Sequence, residues 1–510
     1  MQDNQPLCLS PLCVAVQADT PAQLFERASV ALSDTNFLEL RLDSVRRPVD
    51  ALPLLKQFAA AHPEAAILAT CRRVPHGGGF RGDLADELGT LHRAAENGAR
   101  ILDLEIESAE EAGPEVVETF RGWLRKSNAR LLISFHDFSN SDRIDEAVAR
   151  INVFQPDIVK VVVTAKRLTD NMAVLHMLEQ RLPNVQIVGV AMGEEGLPTR
   201  ILGPGRGGLF TFAASEDGEE TAPGQVTAEA MRSLYRIDEI TAQTKIYGVA
   251  GNPVHHSLSP LMHNEGFRRE GMDAVMLPLL ARQADDLLAF ARELPICGLA
   301  VTMPLKLEVL PYLKQADKLV ERIGACNTLR LEADGGFTGF NTDAAGVLRP
   351  LAKRMEIPGS RIAVLGAGGA ARAAIFALAD AGAEVYIVNR TQATAEAVAR
   401  EAGAQVLPRS ELKTQCFDVL INSTSCGMAG SIQALPIEAD ELHANLVFDL
   451  VYNPLETPLL KLAAAQGMAT IGGIEMFVQQ GVRQFEIWTG KAAPEQAMRE
   501  IVTTELRRRQ

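Results

Sequence analysis

A single lysine, Lys160, interrupts a run of valines in the segment DIVKVVVTA, residues 157–165. A protonated amine is costly to remove from water, and lysine is almost never fully buried without a partner. Two interpretations of Lys160 follow. It is structural, with its charge in solvent at a strand end or in a buried ion pair, or it is an amine that burial activates as a nucleophile.

The first half of the chain alternates β-rich runs with helical stretches, which predicts eight strands, each followed by a helix. The strand candidates are LCLSPLCVAV, NFLELRLD, AAILATCR, RILDLEIE, RLLISFHDF, DIVKVVVTA, VQIVGVAM and GLFTFAAS. This alternation is typical of a (β/α)8 TIM barrel, whose active site forms at the carboxyl ends of the strands. A doubly wound sheet is the competing fold, but it usually carries a glycine-rich first turn, which is absent here.

Polar residues stand at the predicted strand ends of this barrel or just after them. They are Glu39, Arg41, Arg72, His136, Lys160, Arg200, Thr221 and Gln225. Arginines favour an anionic ligand held by bidentate hydrogen bonds, most simply a carboxylate. A desolvated lysine beside a histidine favours Schiff-base chemistry on a carbonyl, with the histidine moving protons. For His136, a hydrogen bond to the neighbouring Asp137 is the alternative, structural interpretation.

The segments around these residues resemble the type I 3-dehydroquinate dehydratases, because ELRLD, SFHDF, the VK of DIVKVV, AMGEEGLPTR and TAPGQ occur in this order. The resemblance implies that Lys160 forms an imine with the substrate ketone, that His136 moves the protons and that Arg200 holds the substrate carboxylate. It places the other residues around the ring hydroxyls and the histidine: Glu39, Arg41, Arg72, Thr221 and Gln225. Two positions depart from the family. His76 stands where a glutamate thought to steer the histidine is usual, and Thr221 stands where serine is usual.

The second half opens with polar clusters that each follow a short predicted strand. They are Ser257 and Ser259 in GVAGNPVHHSLSPLMHN, Lys306 in VTMPLK, Asn327 in GACNT and Asp343 in GFNTD. Because all four clusters follow short strands, we expect them to surround one cleft that could hold a small polyol, with Lys306 and Asp343 as a proton-transfer pair. The alternative is that each is an ordinary surface charge, since most charged residues are exposed.

A glycine-rich turn follows in VLGAGGAARA, where Gly366, Gly368 and Ala371 fit the dinucleotide-binding pattern between a strand and a helix. The backbone there is expected to approach a pyrophosphate at the helix N-terminus. At the end of the next strand, where an NAD enzyme keeps a carboxylate, the chain has Arg390. A guanidinium at this position favours the 2′-phosphate of NADP.

Together these motifs resemble shikimate dehydrogenase over nearly all of residues 245–490, with INSTSCGM and DLVYNP fitting as well. The resemblance implies that Ser257 and Ser259 bind the substrate carboxylate and that Lys306 protonates the developing alkoxide beside Asp343. It implies further substrate contacts at Thr302, Asn327, Tyr452 and Gln480. The implied NADP(H) contacts are Gly366, Ala367, Gly368, Gly369, Ala370, Asn389, Arg390, Thr391, Thr424, Met428 and Gly473. Ala300 and Thr394 depart from the residues that are usual in the family.

The composition limits the remaining possibilities. A chain of 510 residues exceeds one core at about 150 residues per domain. We predict a dehydratase barrel over 1–238, a substrate-binding domain over 244–343 completed by 474–510, and a Rossmann domain over 344–473. A net charge of −14 argues against nucleic-acid or membrane partners. Seven scattered cysteines with no CxxC pair, and the absence of a signal peptide, favour a cytoplasmic protein without a metal site.

The sequence therefore predicts a bifunctional enzyme of the shikimate pathway. Its first half is expected to convert 3-dehydroquinate to 3-dehydroshikimate, and its second half to reduce that product to shikimate with NADPH. Two alternatives stay open: oxidation of quinate by the second half, and a non-catalytic relative that senses metabolites. The oligomeric state is left open.

Overall fold

The computed structural model describes residues 9–180, 185–216, 218–430 and 435–509. These residues form two compact units that divide between Thr244 and Lys245, with Leu279–Ala281 and Asp286–Leu294 grouped in the first unit. No helix among the described residues has both the length and the apolar character needed to cross a membrane.

The first unit contains a sheet of eight strands whose neighbours all pair in parallel, in the order β7-β6-β5-β4-β3-β2-β1-β8. The strands are β1 (Leu12–Val16), β2 (Phe37–Arg41), β3 (Ala66–Thr70), β4 (Ile101–Glu105), β5 (Arg130–His136), β6 (Ile158–Thr164), β7 (Gln186–Met192) and β8 (Thr211–Ala213). Just before β8, the backbone N–H of Leu209 donates to the carbonyl of Ile187 in β7 at 2.7 Å. The sheet is therefore a nearly closed barrel, and the TIM-barrel prediction is confirmed.

Helices alternate with these strands. They are α1 (Pro21–Ala31), α2 (Leu52–Ala61), α3 (Leu84–Glu96), α4 (Ile106–Ala112), α5 (Pro114–Lys126), α6 (Ile144–Asn152), α7 (Asp170–Glu179), α8 (Leu197–Leu202) and α9 (Ala228–Ser233). Local sequence explains several starts. Thr20 accepts a hydrogen bond from the Gln23 N–H, and Pro21 occupies the first turn of α1, where a missing N–H costs nothing.

The barrel interior is built in layers. A lower layer is apolar and comes from five neighbouring strands: Phe37, Leu68, Ile101, Leu132 and Ile158. Because side chains alternate along a strand, residues two positions further on point to the same face. Those residues form a buried polar layer: Glu39, Thr70, Asp103, Ser134 and Lys160. The barrel therefore positions a group of hydrogen-bonding side chains directly above an apolar floor.

The second unit contains two sheets. The first is mixed, in the order β10-β9-β11-β13-β14-β12. Its strands are β9 (Lys245–Gly251), β10 (Ala274–Leu280), β11 (Gly298–Val301), β12 (Leu313–Ala316), β13 (Thr328–Leu331) and β14 (Phe337–Phe340). The edge strand β12 has the sequence LKQA, which is polar and solvent-facing at its centre, so no apolar run marks it in the sequence.

The second sheet is parallel, in the order β17-β16-β15-β18-β19-β20, which is the strand order of a Rossmann fold. Its strands are β15 (Arg361–Leu365), β16 (Glu384–Val388), β17 (Gln405–Val406), β18 (Phe417–Asn422), β19 (Ala444–Asp449) and β20 (Ala469–Ile471). The helices after Lys245 are α10 (Ser259–Arg269), α11 (Ala284–Glu293), α12 (Leu305–Glu308), α13 (Lys318–Ile323), α14 (Asp343–Ala352), α15 (Gly369–Asp380), α16 (Gln392–Ala402), α17 (Pro458–Ala465), α18 (Gly473–Thr489) and α19 (Glu495–Arg508).

Two candidate active sites

Lys160 lies inside the barrel with a charged partner. It is the third residue of β6, one layer below the strand end where the sequence placed it, and only 3% of it is exposed. Its Nζ donates to Asp103 Oδ2 at 2.8 Å, and the Phe212 ring lies 4.7 Å from Nζ. Ser134 Oγ donates to the other carboxylate oxygen of Asp103. The ion pair explains how the barrel tolerates a buried amine, and it leaves that amine at the centre of the polar layer.

His136, the last residue of β5, has both ring nitrogens engaged. Its Nε2 lies 3.0 Å from Arg72 Nη2, and its Nδ1 lies 3.1 Å from Glu105 Oε2. A guanidinium can only donate hydrogen bonds, so Nε2 must accept one and Nδ1 must carry the proton that faces Glu105. Burial, reinforced by the nearby Arg72, lowers the pKa of His136 well below its usual value. The imidazole is therefore neutral, with Nε2 as its basic atom.

The alternative interpretation of His136, a hydrogen bond to Asp137, is wrong. Asp137 instead accepts hydrogen bonds from the backbone N–H groups of Ser139 and Asn140 in the following turn. The carboxylate that faces the histidine belongs to Glu105, at the end of β4, which also forms an ion pair with Arg72.

Glu105 and Asp103 were missed in the sequence. The signal was present in ILDLE, because alternation along a strand puts both acids on the face of Ile101, which is the barrel interior. His76, which stands where the related family has its glutamate, lies 3.3 Å from Arg73 Nη2.

Arg200, on α8, is a buried cation without an anion. Only 1% of the residue is exposed, and its Nη2 donates to the Pro223 carbonyl at 3.0 Å. Its Nε is buried without a hydrogen-bond partner, and no carboxylate of the described residues pairs with it. Burial lowers its pKa to about 10. In the same loop as Pro223, Gln225 Nε2 donates to Thr221 Oγ1 at 3.0 Å. This corner of the barrel is thus prepared for an anionic group.

The two remaining barrel residues of the prediction have partners within the unit. Arg41 donates twice to Asp43, at 2.9 and 2.7 Å, and Glu39 accepts a hydrogen bond from Thr70 at 2.6 Å. Glu39 belongs to the polar layer of Lys160, whereas the pairing of Arg41 with Asp43 leaves Arg200 as the cation that still needs a partner.

In the second unit, Lys306 and Asp343 form the pair that their sequence positions suggested. Lys306 Nζ lies 2.6 Å from Asp343 Oδ2, and Asp343 is the buried first residue of α14. The Asn327 amide donates to the other carboxylate oxygen of Asp343 at 2.8 Å. The lysine is half-buried, so it is accessible to a ligand while its carboxylate partner is held from below.

Asn327 has little hydrogen-bonding capacity to spare. Its amide also donates to Thr342 Oγ1 at 3.0 Å, and its carbonyl oxygen accepts from the Thr342 N–H and from Thr328 Oγ1 at 2.8 Å each. An amide has two donor hydrogens and two acceptor lone pairs, and all are engaged here. In this arrangement Asn327 orients Asp343, a role that the sequence did not indicate.

The serine turn and Thr302 lie at neighbouring strand ends. The N–H of Ser259 donates to Ser257 Oγ at 3.2 Å after β9, and the N–H of Thr302 donates to Ala250 at 2.9 Å after β11. An added Cβ on Gly251 would lie 2.3 Å from Thr302 Cγ2, so only glycine permits this approach. Because β9 and β11 are parallel neighbours, both groups open toward the same edge of the sheet.

Tyr452 packs against α18, and Gln480 is part of that helix. The Tyr452 ring stacks on Phe477 with centroids 4.9 Å apart, and Gln480 Nε2 donates to the Phe477 carbonyl at 3.1 Å. Gly346, one turn after Asp343 on α14, would place a Cβ 3.3 Å from the Cβ of Gln480. The start of α18 at Gly473 lies against the Val451 carbonyl, 2.4 Å from the position of a Cβ there.

The turn between β15 and α15 fits a dinucleotide. Gly366 has φ +111°, and a Cβ there would lie 2.7 Å from Ser423 Oγ and 3.3 Å from the Thr424 side chain. A Cβ on Gly368 or Gly369 would meet nothing within 4 Å, so there is space in front of the turn. Among the described residues, no side chain caps the N-terminus of α15. Open N–H groups at a helix start bind phosphates.

Arg390, directly after β16, is exposed, and no described residue forms an ion pair with it. Beside it, Asn389 Nδ2 donates to the Thr391 carbonyl at 2.9 Å. Across the turn, Thr424 Oγ1 donates to Asn422 at 2.7 Å, and Met428 keeps 49% of its surface exposed. Ala367 is buried and Ala370 half-buried. Arg390 therefore presents an exposed guanidinium just after β16, the strand that pairs with β15 next to the glycine turn.

Comparison with known families matches both units. Residues 12–242 match the type I 3-dehydroquinase model, and residues 249–329 match the shikimate dehydrogenase substrate binding domain. Residues 351–433 match the shikimate/quinate 5-dehydrogenase model, and residues 473–503 match the shikimate 5′-dehydrogenase C-terminal domain. The order of the matches follows the order of the two sites along the chain.

Whole-chain similarity points the same way. The chain is 34% identical to the chloroplastic bifunctional 3-dehydroquinate dehydratase/shikimate dehydrogenase of Arabidopsis thaliana, over 97% of this chain and 84% of that one. Its second half is 46% identical to the NADP(+) shikimate dehydrogenase of Natronomonas pharaonis, over 51% of this chain and 99% of that one. A crystal structure of a shikimate dehydrogenase with NADP+ is 35% identical, has a TM-score of 0.50 and covers 52% of this chain and 97% of that one. The chain belongs to the family of bifunctional 3-dehydroquinate dehydratase/shikimate dehydrogenases.

Proposed function

We propose that each unit uses the site described above for one of two consecutive reactions. The chain is a bifunctional, NADP-dependent enzyme of the shikimate pathway that dehydrates 3-dehydroquinate and reduces the resulting 3-dehydroshikimate to shikimate. The residues that do this chemistry divide between a dehydratase barrel over 1–238 and a reductase. The reductase has its substrate domain over 244–343 and 474–510 and its Rossmann domain over 344–473.

The observation that carries the dehydratase proposal is the unpaired, buried guanidinium of Arg200. Both 3-dehydroquinate and its product carry a carboxylate, which supplies the missing anion. A charge-assisted hydrogen bond in a desolvated site is short and strong. With the carboxylate on Arg200, the ring of the substrate extends over the polar layer, toward Lys160 and His136.

Lys160 then attacks the substrate ketone. Attack requires a neutral amine, and Asp103 is placed to accept the proton that the ammonium must lose, because the two groups already share a hydrogen bond. Loss of water from the resulting carbinolamine gives a protonated imine, which acidifies the neighbouring carbon. The ion pair that keeps Lys160 in the barrel is thus also its route of deprotonation.

His136 moves the protons of the elimination. Its Nε2 removes a proton from the carbon next to the imine, and the imidazolium returns a proton to the departing hydroxyl, which leaves as water. Addition of one water to the product imine then releases 3-dehydroshikimate and restores the amine of Lys160. Glu105 stabilises the imidazolium through Nδ1. Arg72 now donates to Nε2, so the substrate has to displace that hydrogen bond before the base can act.

In the second unit, the proposed substrate position lies between the serine turn and the Lys306–Asp343 pair. Ser257 and Ser259 offer hydroxyls for the carboxylate, with Thr302, Tyr452 and Gln480 around the ring. Lys306 protonates the oxygen of the ketone as it becomes an alkoxide. Asp343, oriented by Asn327, holds the ammonium in place through their ion pair, and solvent restores the proton to the half-buried Lys306 after the reaction. NADPH supplies the hydride when it is bound along the β15–α15 turn.

A coupled assay tests the pair of activities. Purified chain is given 3-dehydroquinate and NADPH, and loss of absorbance at the nicotinamide band is followed. We expect oxidation of NADPH from 3-dehydroquinate alone, and also from added 3-dehydroshikimate. Oxidation from 3-dehydroshikimate only would contradict the dehydratase, and oxidation from neither would contradict both. Quinate with NADP+ in the same assay checks the quinate reaction.

We also infer a reducing, cytoplasm-like compartment. All six cysteines of the described part of the chain are free thiols, and three of them are buried.

A further inference from the structure

A second arginine, Arg73, follows Arg72 in the chain and forms its own cluster of ion pairs and hydrogen bonds with two helices of the first unit. Arg73 is buried, with 8% of its surface exposed, and its guanidinium points toward α3 and α4. Its Nε lies 3.0 Å from Glu87 Oε2 on α3, and its Nη2 lies 3.2 Å from Ser108 Oγ on α4. Glu111 on α4 completes the set of ion pairs, and Ser108 Oγ donates to Glu87 at 2.7 Å. Nothing in the proposed reaction uses this cluster.

Arg72 and Arg73 both bind the segment that joins β4 to α4, each on a different side of it. Arg72 pairs with Glu105 at the end of β4, inside the barrel, while Arg73 bonds Ser108 and Glu111 on α4, which begins at the next residue. Consecutive residues of an extended chain point in opposite directions, so one backbone position serves both contacts. Any shift of Arg73 is therefore passed to Arg72 through the peptide bond between them.

The same two residues form the base of a tight loop over residues 72–80. The N–H of Phe80 donates to the Arg72 carbonyl at 3.0 Å, and the N–H of Gly78 donates to the Arg73 carbonyl at 3.1 Å. A Cβ on Gly78 would lie 2.1 Å from the Arg72 carbonyl oxygen. His76, within this loop, lies 3.3 Å from the Arg73 guanidinium. The loop is closely packed on the backbone that Arg73 anchors.

We propose that Arg73 is a positioning residue of the dehydratase: it ties the base of this loop to α3 and α4, and so holds Arg72 between Glu105 and His136. The proposal rests on the dehydratase function proposed above. Without the contacts of Arg73 to α3 and α4, Arg72 can move away from Nε2 of His136. The rate of dehydration then falls, and the pH at which Nε2 acts as a base changes.

Glu87 makes the tie sensitive to pH. Burial raises the pKa of Glu87 to about 7, against the opposing effects of the Ser108 hydrogen bond and of Arg73. The charged and titratable groups around the Arg73–Glu87 pair are His76, Glu111, Asp103, Glu105 and the buried thiol of Cys71. A carboxyl protonates as pH falls through its pKa, so the ion pair is present above about pH 7 and lost below it. The tie should accordingly weaken on the acid side.

The test measures kcat and KM for dehydration against pH in Arg73→Ala, Arg73→Lys and Glu87→Gln. Arg150→Ala is the matched control, because Arg150 also pairs with α4, through Glu110 at 2.8 Å, but carries no part of the loop. Circular dichroism and thermal unfolding of the same preparations report whether the barrel is folded, and reduction of 3-dehydroshikimate reports on the second unit. Small misplacements of catalytic groups cost about 10²-fold in rate.

We expect Arg73→Ala to lower kcat for dehydration about 10- to 100-fold with KM changed less than about twofold, and to displace the acid limb of the kcat profile. Arg73→Lys should restore part of the rate. In the wild type, kcat should fall as the pH drops through about 7, because Glu87 becomes protonated. Glu87→Gln keeps the shape of the side chain without its charge, so its kcat at pH 8 should equal the wild-type value below pH 7, and the change of kcat near pH 7 should disappear. Arg150→Ala should change neither rate nor profile.

Unchanged kcat and pH profile in Arg73→Ala would overturn the proposal. If the Arg73→Ala barrel is misfolded, the Glu87→Gln profile decides, and an unaltered change of kcat near pH 7 overturns the proposal. Equal losses in Arg150→Ala would show a general weakening of α4 and would also overturn it. A wild-type chain that does not dehydrate 3-dehydroquinate would instead contradict the proposed function itself.

Discussion

The two sites handle charge in opposite ways. In the barrel, acids and bases are buried and paired: Lys160 with Asp103, and Arg72 with Glu105. Arg200 is the exception, a buried cation without a carboxylate among the described residues. In the second unit, the Lys306 side chain of the Lys306–Asp343 pair is 22% exposed, and the cofactor turn faces open space.

This difference follows from the two kinds of chemistry. A covalent reaction on an enzyme amine needs a desolvated nucleophile held at one point before the substrate arrives, and the protein must balance that buried charge itself. A hydride transfer brings its reactive group in on a separate molecule, so the protein has to leave room and expose backbone N–H groups. The comparison therefore predicts that substitutions in the barrel act on chemistry more sharply than those in the cofactor turn.

The largest effect is expected at Lys160. Lys160→Ala should abolish dehydration, because no other described amine lies in the polar layer, and should leave reduction of added 3-dehydroshikimate unchanged. Borohydride added with 3-dehydroquinate or its product should attach the reduced ligand to Lys160 in the wild type. Peptide mass mapping that finds no adduct at Lys160 while dehydration proceeds would remove the imine mechanism.

The reciprocal change is Lys306→Ala in the second unit. It should lower turnover in reduction by about 10²–10⁴-fold, the usual contribution of general acid–base catalysis, and leave dehydration intact. The ratio of the two activities in one preparation is the measurement. Loss of both activities with an unchanged circular dichroism spectrum would indicate one shared site and so break the comparison.

Sequence reasoning found the residues whose type is unusual for their place. A lysine among valines, an arginine after a strand and glycines before a helix each violate the local pattern, so Lys160, Arg200 and Gly366 stand out. The fold class was predicted from the regular alternation of strand and helix patterns along the chain. The groups that orient these residues did not stand out.

Asp103, Glu105 and Arg73 show why. An acid inside a strand reads as an ordinary solvent-facing position until the strand is placed in a barrel, where one face has no solvent. Arg73 could only be recognised once α3 and α4 were seen beside it, because its partners are 14 to 38 residues away in the chain. Pairings of that separation depend on the fold and cannot be derived from spacing.

The third prediction concerns Arg200 and separates function from stability. Arg200→Met should lower kcat/KM for dehydration by about 100-fold, since a hydrogen bond to a charged group contributes about 1.5–3 kcal/mol. It should leave the melting temperature equal or higher, because the variant no longer buries an unpaired cation. Thermal unfolding of the ligand-free protein checks this. A clear fall in melting temperature would mean that Arg200 supports the fold.

The smallest effect is expected at Arg390, the exposed counterpart of Arg200. On the proposed function, the glycine turn at Gly366 would set the position of the pyrophosphate, and the ribose would then fall at the end of β16, where no described carboxylate forms an ion pair with Arg390. Because solvent and salt screen an exposed charge, Arg390→Ala should raise KM for NADPH by about tenfold, the lower end for a charge-assisted contact. KM for NADH should hardly change, and the NADPH effect should shrink at high salt. Equal increases for both cofactors would show that Arg390 supports the loop after β16, and that another group distinguishes the 2′-phosphate.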